Sequence, residues 1–215
     1  MKHRGVALLT GLVLLAALSL LALVSAKGMV EQRQLAGNFE SRRLALENAR
    51  LAEATARWWL FSRADVERQA ACITDCLLPV AILKPGQTPD HPEFESIAWW
   101  RSNGHLAGVH PETGDPVAQS GTGAEPARWL LEEIHYGPAT PDADAGIGGI
   151  GYYRVLARGT GSQAGSVAAT EAIVARPWGS GVVPAPFPPS AESAPFCSQF
   201  GDEQSCGMTA WRQLR

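Results

Sequence analysis

The chain has 215 residues and a mass of 22.9 kDa, enough for one ordinary domain with an appendage and too little for a multi-domain enzyme. A hydrophobic fraction of 46% excludes disorder throughout, while a charged fraction of only 18% suits a chain part of which does not meet water. The formal net charge of -3 gives no global attraction to phosphate, so no nucleic-acid partner is expected; its sign is uneven, with 10 of the 18 Lys and Arg but 6 of the 21 acids in residues 1–70, leaving 8 against 15 in residues 71–215.

Met1, Lys2, His3, Arg4 and Gly5 form a short basic leader. The 21 residues from Val6 to Ala26 then carry no charge, and their only polar side chains are Thr10, Ser19 and Ser25. At ~1.5 Å per residue, a helix of that length crosses the roughly 30 Å hydrocarbon core of a bilayer with its own amides satisfied. Lys2 and Arg4 are expected to stay cytoplasmic and the remainder to be exported. A cleavable signal peptide is the competing reading, because Val24, Ser25 and Ala26 precede Lys27 in a small-residue cleavage pattern. The apolar run is longer than the ~7 to 15 residues usual for such a peptide.

Beyond Ala26 the helical pattern continues. No Pro intervenes before Trp59, and Lys27, Glu31, Arg33, Glu40, Arg42, Arg43, Glu47, Arg50, Glu53 and Arg57 are expected to supply a solvated face. Gly28 and Gly37 each cost about 1 kcal/mol relative to Ala and are expected to bend the helix, not to end it. Val30, Leu35, Phe39, Leu46, Ala49 and Ala52 form one apolar stripe, with Leu44, Leu51 and Trp58 on an adjoining one.

The leader ending in Gly5, the stem beginning Val6-Ala7-Leu8-Leu9 and the amphipathic continuation together resemble the type IV pilin-like superfamily with its class III signal. Within it, residues Gln32 to Arg50 resemble the stem of PilX-type minor pilins, with Leu35 where Met is usual and with Glu47-Asn48-Ala49-Arg50 departing from the family pattern. The resemblance implies cleavage by prepilin peptidase between Gly5 and Val6 and methylation of Val6. It also implies assembly through stem residues Val6, Leu8, Leu9, Thr10, Leu12, Leu14 and Leu15. Most pilins carry Glu where this chain has Thr10, so the pairing of that acid with a neighbouring amino terminus is absent, as at a filament tip. Type II secretion pseudopilins of the K type share that departure. The implied partners are other major and minor pilins, the prepilin peptidase and, before assembly, inner-membrane lipid.

The expected organisation is a leader over 1–5, a membrane and assembly stem over 6–26, an amphipathic continuation over 27–70 and an exported domain over 71–215. The fold class is α+β, pilin-like: a long amino-terminal helix packed on a small antiparallel sheet. Strands are expected near Val80 to Leu83, Ile97 to Trp100, Trp129 to Tyr136, Gly151 to Arg158 and Val167 to Arg176. The last two form a hairpin through a glycine-rich link, and they resemble the late hairpin of PilX-type proteins. The proline-rich segment from Trp178 to Pro195 is read as an extended surface loop, since proline cannot donate within a central strand.

Cys72, Cys76, Cys197 and Cys206 are an even number in the exported part, where disulfides are the default and three pairings are open. A Cys197 to Cys206 loop would resemble the carboxy-terminal disulfide region of many pilins, and would gain about 2 to 3 kcal/mol from restricting the unfolded chain. Zinc is the rival, with poor ligand spacing.

No catalytic pattern emerges. Gly146, Gly148 and Gly151 match G-x-G-x-x-G but precede a strand, not a helix, so a dinucleotide site is not expected. Asp142 and Asp144 lack the downstream Glu of a calcium loop. His91, His105, His110 and His135 form no metal motif. No enzyme activity, cofactor or metal is expected. The Trp58-Trp59 and Trp99-Trp100 pairs are read first as core, with one member of a pair free for a neighbouring subunit. A minor pilin of a type IV pilus is the leading functional expectation. The alternatives are a type II secretion pseudopilin and a secreted binding or hydrolytic domain.

Overall fold

The computed structural model describes residues 4–65, 78–79, 81–117, 121–138, 147–163, 165–179, 181–201 and 204–215. A single helix, α1, runs from Arg4 to Phe61 over 58 residues. Two compact units divide the chain, Met1–Glu40 and Ser41–Arg215. In the first, the most apolar window of α1 has a mean hydropathy of 2.4 and is 0% buried, so the helix is long and apolar enough to cross a membrane.

In the second unit α1 ends on its own cap. The Ser62 amide donates to the Trp58 and Trp59 carbonyls at 3.1 Å, and the Ser62 hydroxyl donates to Trp59 O at 2.7 Å. A six-stranded sheet follows: β1 (Ile82–Leu83), β2 (His105–Leu106), β3 (Arg128–Pro138), β4 (Ile147–Thr160), β5 (Val167–Gly179) and β6 (Gly207–Gln213). The order is β1-β3-β4-β5-β6, with β2 also paired to β3; β1 runs parallel to β3 and every other pairing is antiparallel. The α+β expectation is met, with a mixed sheet in place of a purely antiparallel one.

Alternation along the strands gives the sheet two apolar faces. Trp129, Leu131, Tyr153, Val155, Ala172, Val174 and Trp178 share a buried cluster with Ala52, Ala56, Trp59 and Leu60 of α1. Leu130 and Leu156 point the other way and pack with Trp100. Each large side chain so buried contributes about 1.5–3 kcal/mol.

The approach of α1 depends on small residues. Ala45, Ala49, Ala52 and Ala56 are fully buried at helical spacing, whereas Leu44, Leu46 and Leu51 are only half-buried. On β4 the space above Gly159 is already filled by the backbone at Ala45 and Ala49, and a side chain at Gly161 would meet the backbone of Ser41. Asn48 then donates from Nδ2 to Thr160 O at 2.8 Å, fixing the helix along β4.

Three expectations need correction. Glu53, expected on the solvated face of α1, is only 4% exposed, because β6 covers it and Trp211 Nε1 donates to its carboxylate at 2.7 Å. Ile97 to Trp100 is not a strand but the start of a helix, α2 (Ile97–Asn103), because Ser96 caps it, accepting the Trp99 amide on its hydroxyl at 3.1 Å. Burial of Trp100 on the sheet then outweighs the β preference of an Ile-Ala-Trp-Trp run. Trp178, expected in the proline-rich loop, lies instead in β5, which extends through Pro177 and Trp178 to Gly179. Pro177 is tolerated because β6 pairs β5 only from Thr170 to Ala175, so its missing N–H faces no strand.

Candidate functional site

The expected stem residues lie on α1. Gly5, Val6 and Leu8 are within α1, and the side chains of Leu9, Thr10, Leu12, Leu14 and Leu15 are exposed, the four leucines at 63 to 68%. So are Leu18, Leu20, Leu21, Leu23, Val24, Met29, Val30, Leu35 and Phe39. In water this would be costly at about 25 cal/mol per Å² of apolar surface, so the stem suits a lipid or protein surround.

Cys197 and Cys206 form a disulfide with Cα atoms 5.6 Å apart, whereas Cys72 and Cys76 lie outside the described residues. Asp142, Asp144 and Gly146 also lie outside them; Gly148 and Gly151 are in β4. Among the described residues no group of His, Cys, Asp and Glu is placed to hold a metal.

Each tryptophan pair divides. Trp59 and Trp100 are buried, while Trp58 and Trp99 are half-exposed. Trp58 and Phe61 line a cleft of about 220 Å³ with Pro186, Pro189 and Pro195 of the proline-rich segment. Phe61 stacks on Phe196 with ring centroids 4.7 Å apart. Fully buried Arg176 lies over the Trp178 ring at 3.4 Å and donates to the Arg63 carbonyl, tying β5 to the end of α1.

The opposite sheet face carries a ladder of charge that strand register alone brings together. Glu132 on β3, Arg154 on β4, Glu171 on β5 and Arg212 on β6 alternate in sign across four strands. Arg154 Nε meets Glu171 Oε2 at 2.8 Å, Arg212 Nε meets Glu171 Oε1 at 3.0 Å, and Arg154 Nη1 is 3.8 Å from Glu132. Burial alone would raise the Glu171 pKa, but hydrogen bonds from Arg212 and Arg154 hold it below the usual carboxylate value. Buried Glu132 also accepts the amides of Gly86 at 2.6 Å and Gln87 at 3.1 Å, so a turn closes over the carboxylate. His105 on β2 packs 4.8 Å from the Trp129 ring, and burial, with Arg128 beside it, pushes its pKa down.

The arrangement offers interaction surfaces on both sides of the sheet. No protein-family model, curated protein or solved structure matches the chain. A long apolar amino-terminal helix packed through Ser41–Phe61 on a small sheet is therefore the level at which the architecture is established.

Proposed function

We propose that this chain is a minor pilin resembling the PilX type. It is made as a single-pass inner-membrane precursor, cut after Gly5 and methylated on Val6 by a prepilin peptidase, and built through its stem into a type IV pilus. The observation carrying this reading is the uncharged, exposed run that follows the basic leader and continues as one helix into the alanine stripe of the folded unit.

Such a stem moves from lipid to a bundle of similar stems at little net change in apolar contact, so small polar and domain contacts suffice to direct assembly. Thr10, lacking the acid usual in pilins, suits a subunit that need not dock beneath a preceding one. The disulfide-closed Cys197–Cys206 loop is consistent with folding outside the cytoplasm.

Mass spectrometry of the protein recovered from sheared surface filaments tests the reading. The expected amino terminus is methylated Val6; a mature chain beginning at Lys27 and free in the periplasm overturns it. Thr10 also suits a type II secretion pseudopilin. Loss of the chain would then block protein secretion while leaving surface pili intact.

A further inference from the structure

The region 71–215 carries 15 acids against 8 bases, yet several of those bases converge at one corner of the outer sheet face. Arg128 on β3 and Arg158 on β4 are direct cross-strand partners. Like charges placed opposite one another destabilise a sheet. Arg128 is partly compensated: it donates to Arg101 O at 3.3 Å and Gly104 O at 2.7 Å, where the carboxy-terminal carbonyls of α2 attract a cation. Arg101 is paired with Glu125 at 2.6 Å, and the Glu125 amide is held by Thr160 Oγ1 at 2.9 Å.

Arg158 has no such compensation. Among the described residues its half-buried side chain makes no ion pair and no hydrogen bond. Burial, then repulsion from Arg215 and Arg128, depresses its pKa against the single attraction of Glu125. Arg215 reaches this corner because its carbonyl and the Leu214 amide bond to Ala169, the β5 residue opposite Arg158. Around the guanidiniums the surface is not purely polar. Trp99 and Leu214 are half-exposed and rest on the buried Trp100, Leu130 and Leu156.

An unmatched guanidinium between like charges calls for a planar anion, and a carboxylate satisfies it with two parallel hydrogen bonds. The apolar rim argues for a polypeptide in place of a bare inorganic ion, since arginine beside a partly exposed tryptophan is the composition of protein interface centres. We propose that the Arg158 corner binds an acidic segment of a neighbouring protein subunit, one carboxylate forking onto Arg158 while Trp99 and Leu214 cover its flanking apolar side chains. This surface does not depend on how the stem is used.

The test uses the full chain in neutral detergent micelles, with ¹⁵N-labelled arginine. A short Glu/Leu peptide is the probe, and inorganic phosphate and a Lys/Leu peptide are the comparisons. The acidic peptide should move the Arg158 Nε–Hε resonance saturably, and Arg158→Gln should bind it about ten-fold more weakly, the loss expected for one charge-assisted contact. Lys84→Gln, which removes a charge that has no ion pair or hydrogen bond with Arg101, Arg128, Arg158 or Arg215 among the described residues, should bind as the parent does. Arg158→Gln should also melt at the same or a higher temperature at low salt, because it removes a repulsion. Equal affinity for the peptide in Arg158→Gln, saturation of Arg158 by phosphate as tight as by the peptide, or a lowered melting temperature for the variant would each overturn the proposal.

Discussion

Residues Leu9–Glu40 and Ser41–Phe61 belong to one unbroken helix, yet they use apolar side chains in opposite ways. In the first stretch the large ones are exposed around the whole circumference; in the second Ala45, Ala49, Ala52 and Ala56 run along the buried face, Trp59 and Leu60 are buried at its end, and leucines at 44, 46 and 51 stay half out. A helix that packs on its own sheet needs close backbone approach, and Ala45 and Ala49 against Gly159 provide it. A helix whose neighbours are lipid or other helices can present leucine on every side. Exposure and the size of the face-forming side chains therefore change together along the helix near Glu40.

Four experiments sharpen or break that contrast. Trp129→Ala removes a fully buried ring packed 5.8 Å from Trp59 and should destabilise the folded unit by about 3–5 kcal/mol, read by urea unfolding of the full chain in detergent. Leu14→Asp should leave that unfolding curve in place but cost roughly 2.5–3.5 kcal/mol of membrane insertion, read as loss of the chain from the membrane fraction. An unfolding curve shifted by Leu14→Asp would show that the two stretches are not independent. Gly159→Val forces branched carbons into the helix backbone and should cost about 1–3 kcal/mol, whereas valine at Gly28, which has open space around it, should change the folded unit little.

The smallest effects follow pH and are confined to the folded unit. His105 has a folded pKa below its usual 6.5, so its contribution is complete above that value and is lost as pH falls through the lowered one. Melting temperature should decline on acidification below about pH 6.5, and His105→Gln should flatten that part of the profile. Glu171, held below 4.5, contributes above its unfolded value and loses that contribution at still lower pH, a second step that Glu171→Gln should remove.

The stem and the β4–β5 hairpin were legible because each depends on local pattern: an uncharged run without proline, and two β-rich segments joined by glycines. Where the pattern was ambiguous, a single hydroxyl decided it, as Ser96 did in making Ile97–Asn103 a helix. The alanine stripe was only partly read, since Ala45 and Ala56 carry too little apolar surface to stand out beside Leu44 and Leu51. β6 escaped notice because six of its seven residues are exposed and its strand character comes from pairing with β5. The Glu132–Arg154–Glu171–Arg212 ladder and the Arg128–Arg158 juxtaposition are consequences of register, which joins residues far apart in the chain and leaves no mark in local spacing.

Glu53 sits on α1, only 4% exposed, and accepts a 2.7 Å hydrogen bond from Trp211 Nε1 on β6, a residue 158 positions later. A carboxylate placed early in translation therefore waits for an indole that emerges near the close of synthesis. A broken chain lacking β6 would bare the Glu53 side of the helix and the flank of β5 together, giving quality-control proteases a ready mark of incompleteness before such a chain could compete for a place in any larger assembly.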